Sequence, residues 1–127
     1  MGTERRKRVL DVGNCPLDHA AIRSLVQENF SADVVQTHGA EDTLEVLRSG
    51  SVDLVLVNRK LDRDDSDGLE VIQTIKSDPH STAVPVMLIT NFADQQQLAV
   101  DMGAEPGFGK SQLEDSVTVE RLKRFLA

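Results

Sequence analysis

Three polar side chains stand where apolar segments of the sequence end. Asn58 follows the apolar run 52–57, Thr90 closes the run 84–90, and Lys110 comes after the last such segment. An ammonium group, a hydroxyl and an amide can together bind an anion. The neutral amide of Asn58 is a very poor nucleophile, so covalent chemistry at this residue is not expected. If the fold brings them together, Lys110, Thr90 and Asn58 form a candidate anion site. The alternative is that Lys110 points into solvent or pairs with a carboxylate of a loop.

Strands and helices alternate along the sequence. Short apolar runs predict strands at 8–13, 33–37, 53–57, 84–90 and 105–109. Between them, apolar residues recur with helical spacing, in stripes formed by Leu17, Ala21, Ile22, Leu25 and Val26; Leu44 and Leu47; Leu69, Ile72 and Ile75; Leu98 and Met102; and Val119, Leu122 and Leu126. This alternation predicts an α/β domain with a parallel sheet covered by helices on both faces.

The fifth strand is the weakest of the predicted elements. Its segment contains Pro106, Gly107 and Gly109. Proline cannot donate a hydrogen bond to a neighbouring strand, and glycine weakens a strand interior. The segment therefore suits a short edge strand or an irregular stretch.

Several residues mark helix ends. Gly50 and Gly103 each follow a helical segment, at the position of a left-handed cap. Ser111 and Glu114 have the spacing of a capping box, which places them near the start of the last helix.

The carboxyl edge of the predicted sheet is the place to look for a site. In open parallel sheets ligands bind beyond the carboxyl ends of the strands. The residues that come to this edge are Gly13, Asn14, Cys15, Asn58, Thr90, Asn91 and Lys110. Asp11 lies two residues before Gly13 on the same strand face, about 7 Å further from the strand end. It is too deep to share a metal with Asn58.

The composition limits the class of function. The chain has 127 residues, the size of one domain, and its 39% of hydrophobic and 28% of charged residues are typical of a globular protein. The net charge of −7 argues against nucleic acid or a membrane surface as a partner, and no run is long enough to be a membrane span. Cys15 is the one cysteine, so no internal disulfide can form, and we expect a cytoplasmic protein.

The acidic segment 62–67 does not fit a calcium site. With Gly68 as the sixth position of a calcium-binding loop, Arg63 falls first and Thr74 twelfth, where acidic ligands are required. We expect a solvated acidic loop, with Asp67 near a helix start.

The histidines and the cysteine indicate no further chemistry. His19, His38 and His80 have no metal-ligand spacing and are expected at the surface. Cys15 has no second cysteine with which to form a redox pair.

The order of these segments resembles the receiver domain of bacterial two-component response regulators, the CheY-like family, over nearly the whole chain. The segment 52–58 resembles the family's third strand, which ends in the phosphate-accepting aspartate, and 67–76 resembles its third helix with the opening Asp-Gly pair. The run 84–90 resembles the fourth strand with its site threonine, and 101–110 resembles the Gly-Ala turn and the strand that precedes the site lysine.

The resemblance implies a flavodoxin-like, doubly wound (βα)5 fold with the strand order 2-1-3-4-5. It also implies a single receiver-like domain over 1–127, with no output domain in the chain. Pro16 fits this alignment, since the family often has a proline just after the end of its first strand.

The same alignment shows where this sequence departs from the family. The acceptor position carries Asn58, and the acidic pair that holds Mg²⁺ is replaced by Gly13 and Asn14, whereas Thr90 and Lys110 match. Phosphoryl transfer needs an anionic nucleophile, and Mg²⁺ prefers carboxylate oxygens. With all three carboxylates absent, we expect no metal, no cofactor and no ordinary phosphate acceptance.

The function implied is that of a binding module rather than an enzyme. We predict an atypical receiver, or pseudo-receiver, that acts in signal transduction by phosphorylation-independent protein–protein interaction. The alternative is an active phosphoacceptor of a phosphorelay that uses a non-standard aspartate, such as Asp62 or Asp64. A third hypothesis is an unrelated small α/β ligand-binding domain, which would lack a pocket formed by Asn58, Thr90 and Lys110.

The partner face is also implied by the resemblance. In the family, the fourth helix, fifth strand and fifth helix contact a protein partner, and a weak homodimer is a second expected assembly. The aromatic switch residue of that face would fall at Gly107 or Phe108. The proline and glycines around it do not favour a switch of the family type.

Overall fold

Strands and helices alternate in the computed structural model, which describes residues 6–127. The elements are β1 (Lys7–Val12), α1 (Pro16–Asn29), β2 (Ala32–Thr37), α2 (Ala40–Ser49), β3 (Leu54–Asn58), α3 (Gly68–Ser77), β4 (Val86–Ile89), α4 (Ala93–Asp101), β5 (Glu105–Phe108), a 3-10 helix (Lys110–Gln112) and α5 (Ser116–Leu126). Each strand begins and ends within two residues of its predicted segment.

The strands form one parallel sheet in the order β2-β1-β3-β4-β5. This confirms the predicted flavodoxin-like topology. The strand order reverses between β1 and β3, so their carboxyl ends define the crevice in which such folds place their sites.

Two apolar cores lie on opposite faces of the sheet. On one face α1 and α5 pack against strand residues that include Val9, Leu54, Leu56, Met87 and Phe108. On the other face α2, α3 and α4 cover strand residues that include Leu10, Val12, Val55, Val57 and Leu88. Because β3 is central and covered on both faces, its apolar residues run continuously from Leu54 to Val57 instead of alternating with polar ones. Within residues 6–127, no helix is long and apolar enough to cross a membrane.

The predicted stripe of α1 was wrong at its start. Leu17 is 79% exposed and Ala21 is also exposed, whereas the buried residues of the helix are Ile22, Leu25 and Val26. Asp18 and His19 precede Ile22 by four and three residues, and these positions share one side of a helix. The side of α1 that faces the sheet therefore begins with two polar residues, not with Leu17.

Helix α4 also differs from its predicted pattern. Leu98 and Met102 are exposed, and Ala99 is the buried residue of the helix.

The glycine and capping predictions had mixed outcomes. Gly103 has a φ of 105° and caps α4 in the left-handed region, as predicted. The prediction for Gly50 was wrong, because its φ of −165° is extended. The capping box of Ser111 and Glu114 was also wrong, because α5 begins only at Ser116, after the intervening 3-10 helix.

The fifth strand is present but irregular, as its composition predicts. Met87 pairs with Glu105 and Ile89 pairs with Phe108, so one residue of β4 lies opposite two residues of β5. This is a β-bulge, which leaves strand hydrogen-bonding groups without their usual partners.

The side chain of Gln96 on α4 satisfies these groups. Its Oε1 accepts a hydrogen bond from the backbone N–H of Gly107 at 2.9 Å, and its Nε2 donates to the carbonyl oxygen of Leu88 at 2.9 Å and to that of Thr90 at 3.3 Å. A Cβ at Gly107 would lie 2.2 Å from the Leu88 oxygen, so the bulge requires glycine there.

We expect Gln96→Ala to lower the free energy of unfolding by about 1–3 kcal/mol, because it leaves an N–H and a carbonyl of the bulge unpaired. Urea unfolding measures the effect. The matched control is Gln97→Ala, since within residues 6–127 that exposed side chain bonds to Asp101 alone, and its loss should change stability by less than about 0.5 kcal/mol. Equal effects of the two substitutions would contradict the bridging role of Gln96.

Candidate functional site

The predicted site residues all lie at the carboxyl edge of the sheet. Gly13 and Asn14 follow β1, Asn58 is the last residue of β3, Thr90 follows β4 and Lys110 opens the 3-10 helix after β5. The strand register places the ends of β1, β3 and β4 side by side. The contacts that these residues make decide what the edge can do chemically.

Asn58 is engaged by the backbone around it. Its Nδ2 donates to the carbonyl oxygen of Gly13 at 3.1 Å and to that of Lys60 at 2.6 Å. An amide has two N–H hydrogens, so these two bonds use both. The side chain at the acceptor position therefore joins β1 to the β3–α3 loop.

Leu61 fills the space next to Gly13. The loop folds back over the end of β1, where the N–H of Asp62 donates to the Gly13 carbonyl at 2.9 Å. Leu61 is 2% exposed, and a Cβ on Gly13 would lie 2.3 Å from its Cδ2. Gly13 also has a φ of 76°, which favours glycine. An aspartate at position 13 would collide with Leu61.

Asn14 points into the protein rather than to the edge. It is fully buried, and its Nδ2 donates to Oδ1 of Asp11. The other carboxylate oxygen of Asp11 lies 2.7 Å from Nδ1 of His19. Burial raises the pKa of the Asp11 carboxyl, while the hydrogen bonds from His19 and Asn14 act in the opposite direction. The expectation that His19 is a surface residue was wrong, because its side chain is 18% exposed and held by Asp11.

Lys110 pairs with a carboxylate that the sequence reasoning did not single out. Its Nζ lies 2.7 Å from Oδ2 of Asp18, and both side chains are about one-third exposed, at 36% and 35%. The hydrogen bond from Lys110 lowers the pKa of Asp18. Thr90 is 7% exposed, and its Oγ1 accepts a hydrogen bond from the N–H of Phe92 at 3.2 Å.

An anion at this edge would have to compete with these contacts. Asp18 neutralises Lys110, and the Asn58 amide hydrogens bond to carbonyl oxygens. The anion site formed by Lys110, Thr90 and Asn58 stays a prediction, and its strongest donor is already paired.

The two candidate switch positions place no aromatic ring at the surface of β5. Gly107 has no side chain, and Phe108 is 1% exposed in the core that α1 and α5 cover. Cys15, also near the edge, caps α1 through an N–H···S contact of 3.5 Å from Asp18.

The residues at the edge do not fit a magnesium ion. Gly13 offers no side-chain oxygen, Asn14 turns its amide towards Asp11, and Asn58 directs N–H groups at carbonyl oxygens. Within residues 6–127, no group of three or more His, Cys, Asp or Glu residues is arranged to hold a metal ion.

Two contacts were missed at the sequence level, and each had a weak signal. Leu61 is the single apolar residue between Asn58 and Gly68, which marks it as the residue that anchors the loop. Asp18 lies in the first turn of α1, near the strand ends, which is within reach of a lysine at the same edge. The contact of Leu61 could be assigned only once the path of the loop was known. The contact of Asp18 could be assigned only once the side of α1 that faces the sheet was known.

Comparisons with known proteins identify the family to which the fold belongs. The family model described as the response regulator receiver domain matches residues 10–118. That span is most of the 127 residues, and the chain belongs to this family. It is therefore a receiver domain, the class of domain that serves two-component signalling through protein contacts. A comparison with curated proteins finds no match.

Solved structures share the fold at low sequence identity. A candidate response regulator from Chloroflexus aurantiacus J-10-fl is 15% identical, with 95% of this chain and 98% of that chain covered and a TM-score of 0.82. A sensor protein from Polaromonas sp. JS666 is 17% identical, with 95% and 96% covered and a TM-score of 0.80. A response regulator from Thermotoga maritima is 18% identical, with 95% and 98% covered and a TM-score of 0.75.

We expect Asn58→Asp to destabilise the protein by about 1–3 kcal/mol near pH 7, because it replaces two N–H donors by a carboxylate that faces two carbonyl oxygens. Those oxygens should raise the pKa of the new carboxyl, so the loss should shrink as the pH falls and the group becomes protonated. Chemical unfolding at several pH values measures this. The control is Asn91→Asp, whose Oδ1 only accepts hydrogen bonds from Ser111 and should change stability little. An Asn58→Asp variant as stable as the parent would contradict the assignment.

The ion pair of Asp18 with Lys110 should make a pH-dependent contribution to the free energy of unfolding. Because the pKa of Asp18 in the folded protein lies below its usual value of 3.8, the pair stabilises the fold above about pH 4. That contribution is lost as the pH falls through the folded pKa. We expect Asp18→Asn to lower stability by at most about 1 kcal/mol near pH 7, since both groups are partly exposed, and by progressively less as the pH falls below about 4. A difference that is independent of pH would show that the pair does not form.

Proposed function

We propose that this receiver domain transmits a signal through protein–protein contacts, without phosphoryl transfer to the acceptor position. The observation that carries the proposal is the bonding of Asn58. Its amide donates both hydrogens to the carbonyl oxygens of Gly13 and Lys60, so it presents neither charge nor a free lone pair on nitrogen to a phosphodonor. Phosphoryl transfer to a side chain requires a nucleophile that this residue does not provide.

The proposal extends to the metal. A transferred phosphoryl group needs its charge neutralised, which Mg²⁺ does in receivers that retain their carboxylates. Here the packing of Leu61 against Gly13 and the inward orientation of Asn14 support the loss of magnesium binding. The site then serves to hold the β3–α3 loop in place.

The surface proposed for the partner is formed by α4, β5 and α5, as the family resemblance implies. Gln96 and the bulge of β5 hold α4 to the sheet, and Phe108 is buried. These contacts support a face with one arrangement, which a partner recognises without prior modification of the domain.

Incubation of the protein with acetyl phosphate and Mg²⁺, followed by intact mass measurement, tests the proposal. We expect no added phosphoryl group, because neither the nucleophile nor the metal ligands are present. A receiver that retains its acceptor aspartate, treated in parallel, shows that the donor is active.

A stoichiometric phosphoryl adduct would overturn the proposal. Its loss in Asp62→Asn or Asp64→Asn would then support the alternative, a phosphoacceptor that uses a non-standard aspartate in the β3–α3 loop. Both residues lie in an exposed loop, so neither substitution should disturb the fold.

A further inference from the structure

A groove of about 420 Å³ runs between α4 and the β5–α5 side of the domain. Its lining includes neutral amides, apolar side chains and one charged residue, Arg121. Arg121 is partly buried, and its Nη1 donates to the carbonyl oxygen of Gly107. The one charged side chain of this lining is therefore a cation, in a chain whose net charge is −7.

Unlike Arg48 and Arg124, Arg121 has no acidic partner within residues 6–127. Arg48 pairs with Asp78 at 2.6 Å, and Arg124 on the same helix pairs with Glu105 at 3.4 Å. Among residues 6–127, no carboxylate lies within 4.0 Å of the Arg121 guanidinium. A guanidinium has five N–H donors, and a carboxylate can accept two of them in parallel.

Two amides on the same groove also present donors. The Oδ1 of Asn91 accepts hydrogen bonds from the N–H and the hydroxyl of Ser111, at 3.2 and 2.9 Å. The Oε1 of Gln112 accepts from the N–H of Gly109 at 2.8 Å. These bonds fix the orientation of each amide, and within residues 6–127 neither amide nitrogen donates to a protein acceptor. Asn91, Gln112 and Arg121 thus offer N–H groups to whatever enters the groove.

The groove is held in shape by its own hydrogen bonds. Gln96 ties α4 to both strands that meet at the bulge, and Arg121 ties α5 to Gly107. A preformed site loses little conformational entropy on binding. Beside it, Pro106 is exposed, and Val117, one helical turn before Arg121, is 52% exposed. These provide apolar contact next to the polar donors.

We propose that this groove binds an aspartate or glutamate side chain of a partner protein segment, with Arg121 as the anchor. A lining with one unpaired cation and N–H donors repels a cation and binds a carboxylate more strongly than a neutral acceptor, because the hydrogen bonds to a carboxylate are charge-assisted. Apolar residues beside the carboxylate would pack on Val117 and Pro106. The proposal rests on the proposed function, since it names the partner chemistry of the α4–β5–α5 surface.

The test is an NMR titration of the ¹⁵N-labelled full chain with two acetylated, amidated peptides, one of glutamate and leucine residues and one with glutamine in place of glutamate. We expect the glutamate peptide to shift the backbone amide of Gly107 and the side-chain amides of Asn91 and Gln112. The glutamine peptide should bind at least about 10-fold more weakly, as expected for the loss of a charge-assisted hydrogen bond.

The matched variants are Arg121→Gln and Lys123→Gln, which remove the same charge from the same helix. Lys123 is exposed and lines a different surface cavity, next to the amino end of β1. We expect Arg121→Gln to weaken binding of the glutamate peptide about 10-fold or more and Lys123→Gln to weaken it less than about 2-fold. Arg121→Lys, which keeps the charge but loses the paired donors, should give an intermediate affinity. The Gly107 and Thr90 amide shifts of the free variants check that β5 remains folded.

Equal affinity for the two peptides, equal effects of the two glutamine variants, or shifts confined to other residues would overturn the proposal. If Val117→Asp weakens the glutamate peptide while Arg121→Gln does not, the surface binds peptides but the carboxylate anchor is wrong. The proposed function fails by a different observation, the phosphoryl adduct described above, so the two failures can be told apart.

Discussion

The carbonyl oxygen of Gly13 organises the carboxyl edge of the sheet. It accepts hydrogen bonds from the Asn58 side chain and from the backbone of Asp62, so the β3–α3 loop closes over the end of β1. That closure places Leu61 against Gly13, in space that a side chain at position 13 would need. Gly13, Asn58 and Leu61 therefore depend on one another. The amide at position 58 is a structural donor here, and a carboxylate in its place would face two carbonyl oxygens.

Because positions 13, 14 and 58 carry no carboxylate, the charged partners at the edge come from other positions. The partner of Lys110 comes from α1, as Asp18. His19, the next residue of that helix, binds the buried Asp11, which Asn14 also contacts. The first turn of α1 thus carries the polar partners that the strand ends lack. Burial of an ionisable group such as Asp11 is tolerable because donors surround its carboxylate.

The sequence predicted the elements better than the contacts between them. The strands were found because runs such as 52–57 are apolar and short, and the site residues were found because parallel strands end at one edge. Asp18 was missed because we assigned Leu17 to the buried side of α1. The side that faces the sheet instead begins with Asp18, which is one residue later and about 100° further around the helix axis. The capping box at Ser111 was wrong because a spacing of three residues cannot distinguish a 3-10 turn from the start of α5. Leu61 could not be assigned because its partner, Gly13, is distant in sequence, and only the closed loop brings them together.

The fixed geometry of β5 bears on how such a domain could signal. A switch needs two discrete arrangements of similar free energy, each favoured by a different input. Here Gln96 satisfies the bulge, Arg121 bonds to Gly107 and Phe108 is buried, so a second arrangement of this face would leave backbone groups unpaired. Under the proposed function the face keeps this one arrangement, and a face with one arrangement cannot report a modification of its own domain. An input can shift a conformational equilibrium only if it binds two states with different free energies. Under the proposed function the domain has one state, so the signal must come from a change in the amount of the domain or in the state of its partner.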